Sequence, residues 1–145
     1  MVGTVSADGK RVVTTDDECA RVWDAQTHQL LFTLPHAKAV YQAVYTPDGT
    51  RLVTAGGDGF VKIWNAATGT LLRALTRQDA KPRRYLVVAM SPDGNLVAAI
   101  DSVGEVAHVW DAVTGVPLAE LRNDASGFPS LTFSSDGRWL ATSGG

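Results

Sequence analysis

His36, Thr54 and Asp58 bring an imidazole, a hydroxyl and a carboxylate into one short stretch of the chain. That is the composition of a nucleophilic triad, where the ring takes a proton from the attacking hydroxyl and the acid orients the ring. The chemistry needs a hydroxyl exposed beside an oxyanion site. Thr54 is β-branched and lies inside the apolar run RLVTA, which offers neither. A structural role is the reading, and no catalytic residue is expected. Asp16, Asp17 and Glu18 stand beside Cys19, but a calcium loop alternates oxygen ligands around a sharp glycine turn. The run reads as a solvated turn capped by Asp17. His28 and His108 are isolated, form no ligand pair and read as surface histidines. No metal and no cofactor are expected. The segment RQDAKPRR carries Arg77, Lys81, Arg83 and Arg84. Clustered guanidinium groups suit carboxylates and phosphates, so a solvated loop and an anion or acidic-peptide contact both fit it.

The elements that must position these residues come from a repeat. Asp-Gly recurs at Asp8-Gly9, Asp48-Gly49, Asp93-Gly94 and Asp136-Gly137, at intervals of 40, 45 and 43. Trp23, Trp64 and Trp110 follow the first three of these by 15, 16 and 17 positions, and each opens a matching phrase: WDAQTHQLL, WNAATGTLL, WDAVTGVPL. Two unrelated markers in phase over three cycles make a strong signal, and the period is that of a four-stranded unit. Within the second cycle AVYQAVY, RLVTA, FVKIW and TLLRAL are short β-rich runs separated by TPDG, GGDG and NAATG. Such punctuation predicts antiparallel meanders. The innermost strands should be the nearly all-apolar ones, because neighbouring units cover both their faces. No segment has the period of an amphipathic helix. The fold class is all-β.

Composition agrees with a globular domain. The 145 residues are 45% hydrophobic and 19% charged, with a formal charge of −2, which lowers the expectation of a nucleic-acid partner. No apolar run approaches a membrane span, and no charged-then-apolar leader opens the chain. A single cysteine forms no internal disulfide, so the expected compartment is a reducing cytoplasm.

These phrases resemble the WD-repeat β-propeller family over essentially the whole chain. The resemblance implies blades at about 1–35, 36–75 and 83–122, with residues 130–145 supplying the first two strands of a fourth. It places His36, Thr54, Asp58 and Trp64 at the spacings of the family's structural hydrogen-bond tetrad, with Trp64 donating to Thr54, Thr54 to His36, and His36 to Asp58. The first cycle keeps Thr14, Asp17 and Trp23, while the third has Ala98 at the hydroxyl's place, Gly104 near the acid's, and lacks the histidine at the place of His36. Its tetrad is absent and the blade should be looser. Asn65 replaces the aspartate after tryptophan, and His28 replaces the turn glycine seen as Gly69 and Gly115.

The function so implied is a protein–protein interaction scaffold. Lys38, Phe60, Arg77, Arg83, Arg84 and Phe128 are the candidate contacts on one loop-bearing face, and Trp139 is expected in the core. The alternative is an architectural segment without a free ligand site. Partners are proteins or peptides, without a membrane. Propellers close into rings of four to eight blades, so self-association or association with further blades is expected, whether the sequence is a piece of a longer propeller or several chains form one ring.

Overall fold

A computed structural model describes residues 3–77, 83–102, 106–122 and 130–143. Its strands form four antiparallel meanders in chain order. The first sheet is β1 (Gly3–Val5), β2 (Arg11–Thr15), β3 (Cys19–Asp24) and β4 (Leu30–Pro35). The second is β5 (Val40–Tyr45), β6 (Arg51–Gly56), β7 (Val61–Asn65) and β8 (Leu71–Leu75). The third is β9 (Tyr85–Met90), β10 (Leu96–Asp101), β11 (Val106–Asp111) and β12 (Pro117–Arg122). Two strands, β13 (Ser130–Phe133) and β14 (Leu140–Ser143), form the last. The fold is all-β, as expected, with three four-stranded sheets and a two-stranded one.

Two turn chemistries explain the repeat. Between the first and second strands of each sheet, a hydroxyl two residues before the aspartate donates to it: Ser6 to Asp8, Thr46 to Asp48, Ser91 to Asp93 and Ser134 to Asp136, at 2.5–2.6 Å. The same carboxylate oxygen accepts the N–H two residues on, and the glycine that follows sits at φ of 70–73°. Only a residue without a Cβ adopts that conformation freely. Between the third and fourth strands, Asp24, Asn65 and Asp111 each accept two successive backbone N–H groups. Asn65 replaces aspartate without loss because its amide oxygen accepts the same bonds. His28 takes the left-handed position at φ 62° that Gly69 and Gly115 take elsewhere.

Three of the four tryptophans follow a bulge. The register between third and fourth strands slips immediately before Trp23, Trp64 and Trp110, and such slips redirect side chains. The sheets then stack face to face. Val13, Val22 and Leu34 meet Val40, Ala43, Leu52 and Trp64 between the first and second. Val53, Ile63 and Leu75 meet Tyr85, Val88, Val97 and Trp110 between the second and third. Ala98, Ile100 and Val109 pack on Leu131 of the last.

Four expectations are corrected. The most continuously buried strands are the second ones, β6 and β10, and not the innermost β5 and β9. A second strand has partners on both edges and sheets on both faces, whereas a first strand leaves one edge of its sheet unpaired. Trp139 is 71% exposed and not core. It stands two residues after the turn glycine, like Arg11 and Arg51, whose guanidiniums cross to the following sheet; no sheet follows it among the described residues. Asp16, not Asp17, caps the β2–β3 turn by accepting the N–H groups of Glu18 and Cys19 at 3.1 Å while pairing with Arg21. His108 is 3% exposed and so is no surface histidine, because β11 is covered by β10, β12 and the second sheet.

Candidate functional site

The second sheet brings four polar side chains from three segments into one chain of bonds. Trp64 Nε1 donates to Thr54 Oγ1 at 2.9 Å, and Thr54 Oγ1 lies 2.7 Å from His36 Nε2. His36 Nδ1 is 3.0 Å from both oxygens of Asp58. With Nδ1 protonated, every donor meets an acceptor. Thr54 is fully buried and Trp64 and His36 nearly so. The hydroxyl held between indole and imidazole is therefore consumed by structure and cannot attack a substrate. Asp58 also accepts the N–H groups of Ala37 at 3.0 Å and Phe60 at 3.2 Å, which ties the β4–β5 loop to the β6–β7 turn. Gly56 makes room for the network: a Cβ there would lie 2.8 Å from Asp58 Oδ1.

Burial pushes the His36 imidazole below its ordinary value, against the hydrogen bond and charge of Asp58. Burial raises the Asp58 carboxyl, but the Ala37 N–H, His36 and the Phe60 N–H outweigh it and leave that acid below the usual range. Both effects favour a neutral ring against an ionised acid.

The first sheet keeps half of this arrangement, with Trp23 Nε1 donating to Thr14 at 2.9 Å. The third sheet replaces it. Register places Ala99, not Ala98, at the hydroxyl's position: Thr54 pairs with Lys62 two residues before Trp64, and Ala99 pairs with His108 two residues before Trp110. By the same register Asp101 stands where Gly56 does, so its carboxylate fills the space that His36 and Asp58 occupy in the second sheet. Arg83 pairs with Asp101, whose side chain has no exposure. His108 Nε2 lies 3.6 Å from Asp101 and Nδ1 3.9 Å from Glu120, which pairs with Arg77 at 3.0 Å. Tyr85 packs edge-on against His108 and Trp110, with centroids 5.8 and 5.6 Å apart. Burial, then the Asp101 charge, pushes the Tyr85 phenol up to about 12. Trp110 is 1% exposed, so this tryptophan is enclosed without a tetrad around it. The chain offered one signal for it: an acid, Asp101, seven positions after Gly94, where the second cycle has Gly56.

The expected loop contacts divide. Lys38 and Arg84 are exposed, and Phe60 is half-buried with Lys62 Nζ 5.9 Å from its ring. Arg77 and Arg83 form the ion pairs just given. Phe128 lies outside the described residues. Three contacts bring the loops to one edge. Ala37 bonds Asp58, Gly57 N donates to the Ala39 carbonyl at 2.8 Å, and a Cβ on Gly59 would lie 3.1 Å from the Arg83 carbonyl. Among the described residues no group of three or more His, Cys, Asp or Glu could hold a metal ion.

The family profile "WD domain, G-beta repeat" matches residues 28–65, the stretch that holds the full tetrad. Apoptotic protease-activating factor 1 of Rattus norvegicus is 32% identical over 138 residues, covering 94% of this chain and 11% of that protein. Autophagy-related protein 16 of Arabidopsis thaliana is 31% identical over 144 residues, 95% of this chain and 28% of the relative. Transcription initiation factor TFIID subunit 5 of Caenorhabditis elegans is 29% identical over 132 residues, 89% and 20% respectively. The chain belongs to the WD40-repeat family. It spans between 11% and 28% of the length of these three relatives.

WD40 domains are in general protein-interaction scaffolds. In this WD40 chain the polar clusters also set how the sheets respond to acid. His36 and His108 are both held below the ordinary histidine value, His108 by burial and then by the Arg77 charge. A depressed folded value means that the unfolded chain takes the proton first. The histidine contribution is complete above about pH 6.5 and declines as pH falls toward the folded values, at up to about 1.4 kcal/mol per pH unit per ring. Melting temperatures measured from pH 7.5 down to pH 5 should therefore fall on acidification. A profile that stays level or rises through that window overturns the assignment.

Proposed function

We propose that the chain is a non-enzymatic scaffold that binds proteins or peptides through the edge where the β4–β5 loop, the β6–β7 turn and the start of β9 converge. The convergence of Lys38, Phe60 and Arg84 there, held by the Ala37–Asp58 and Gly57–Ala39 bonds, supports this reading. Loops carried on rigid strands are where such folds recognise partners. The two exposed cations beside a half-buried aromatic suit an acidic segment with one apolar anchor. The buried Asp101 makes Arg83 a structural cation as well as a neighbour of this edge, so the test leaves it intact. The combined variant Lys38→Glu, Phe60→Ala, Arg84→Glu should melt with the parent protein and lose its partners in a quantitative pull-down. An unchanged set of partners would sink the proposal.

The second reading, an architectural segment completed by further blades or subunits, is supported by Trp139 at 71% exposure. Under it the triple variant keeps its partners and Trp139→Ser loses them.

A further inference from the structure

The repeat supplies its own comparison between equivalent junctions. Where the second sheet meets the third, the Arg51 guanidinium crosses over and donates to the Gly94 carbonyl at 2.5 Å. A Cβ built on Gly94 would lie 2.6 Å from Arg51 Nη2. Where the third sheet meets the last, a Cβ built on Gly137 would lie 3.5 Å from Cδ of Pro92. Gly49 has the same turn, with φ 71° against 73° at Gly94 and an N–H bonded to the Thr46 carbonyl at 2.8 Å. Yet nothing lies within 4 Å of its Cβ position. Two residues account for the opening. Arg11, which holds the place of Arg51, turns instead to the Ala66 carbonyl and lies over the Phe32 ring at 5.6 Å. Ala7 stands where the later turns have Pro47 and Pro92.

The result is a cleft of about 580 Å³ between the first two sheets, lined among others by Asp8, Lys10, Tyr45, Asp48 and Gly49. Each aspartate spends one oxygen on its own turn. The other oxygen makes no hydrogen bond among the described residues, and none reaches the Gly49 carbonyl. The Tyr45 hydroxyl is buried without a hydrogen-bond partner. Lys10 and Arg11 border the cleft, but Arg11 is turned to the Ala66 carbonyl and the Phe32 ring.

We propose that this cleft binds the guanidinium of an arginine carried by a peptide or protein partner, seated against the Gly49 carbonyl and the free oxygens of Asp48 and Asp8 as Arg51 is seated against Gly94. A planar group with five donors can meet a carbonyl and a carboxylate together. The site lies on the edge opposite the loops of the proposed scaffold surface, since turns alternate ends along a meander, and it stands independently of that surface.

The test titrates the chain with Nα-acetyl-arginine amide and follows the backbone amides of Asp48–Arg51 by NMR. Saturable shifts with a dissociation constant of about 1 mM are expected. The neutral isostere Nα-acetyl-citrulline amide should bind at least about tenfold more weakly, since it lacks the charge. Gly49→Asn tolerates the left-handed backbone, fills the opening and should abolish the shifts. Should that variant fail to fold, Asp8→Asn, at an exposed turn, should weaken binding instead. Equal binding of citrulline, preferential binding of Nα-acetyl-glutamate amide, or no saturable shift at these amides would each overturn the assignment.

Discussion

Thr54→Val should lower the melting temperature by about 10 °C. The valine is nearly the same shape, so the effect isolates the hydroxyl. Its removal leaves the Trp64 N–H and His36 Nε2 facing a methyl group in a site with no exposure. Each buried group left unpaired costs about 1–3 kcal/mol. A total near 3 kcal/mol corresponds to roughly 10 °C in a chain of this size. Thr54→Ser keeps the oxygen and should recover most of the loss. The Trp64 indole proton gives a second readout, because its exchange with solvent should quicken in the valine variant and not in the serine one. A valine variant that melts with the parent protein would show that the network contributes nothing to stability.

Arg83→Ala should be comparably damaging, by about 3 kcal/mol, although Arg83 belongs to a basic segment that the sequence alone presents as a loop. Its partner Asp101 has no side-chain exposure, and removing one member of a buried pair takes away charge that offsets the burial of the other. His108 Nε2 at 3.6 Å is a weaker substitute because its ring is held neutral by burial. The neighbouring Arg84→Ala touches an exposed side chain and should change stability by less than about 0.5 kcal/mol. Adding Asp101→Asn to Arg83→Ala removes the buried charge and should restore most of the difference, as chemical denaturation can measure. If the double variant is no more stable than Arg83→Ala alone, the ion pair is not what holds this sheet.

These two sites differ in how far they could be read in advance. The tetrad was legible because its members lie at family spacings on a cycle marked twice over, by Asp-Gly and by tryptophan. The third-sheet cluster was not, because it matches no spacing template. The resemblance implies Ala98 at the hydroxyl's place, while the hairpin register puts Ala99 there. The acid seven residues after Gly94 becomes meaningful only once its counterpart, Gly56, is seen to make room for His36 and Asp58. Arg77 and Arg83 likewise look alike in sequence, yet each is tied to a different acid, Glu120 and Asp101.

The sequence by itself determined the period, the strand order and the turn chemistry. These depend on local rules: a side chain bonds the backbone two or three residues away, and glycine accepts a positive φ wherever it stands. Tertiary structure alone decided which side chains are buried and which charges are neutralised. His108 is enclosed and Trp139 is bare although both lie on or beside inner strands, because burial depends on whether another sheet covers that face. The same holds for Arg11 and Arg51, equivalent in the repeat, whose different partners across the sheet junctions leave one junction open and the other filled.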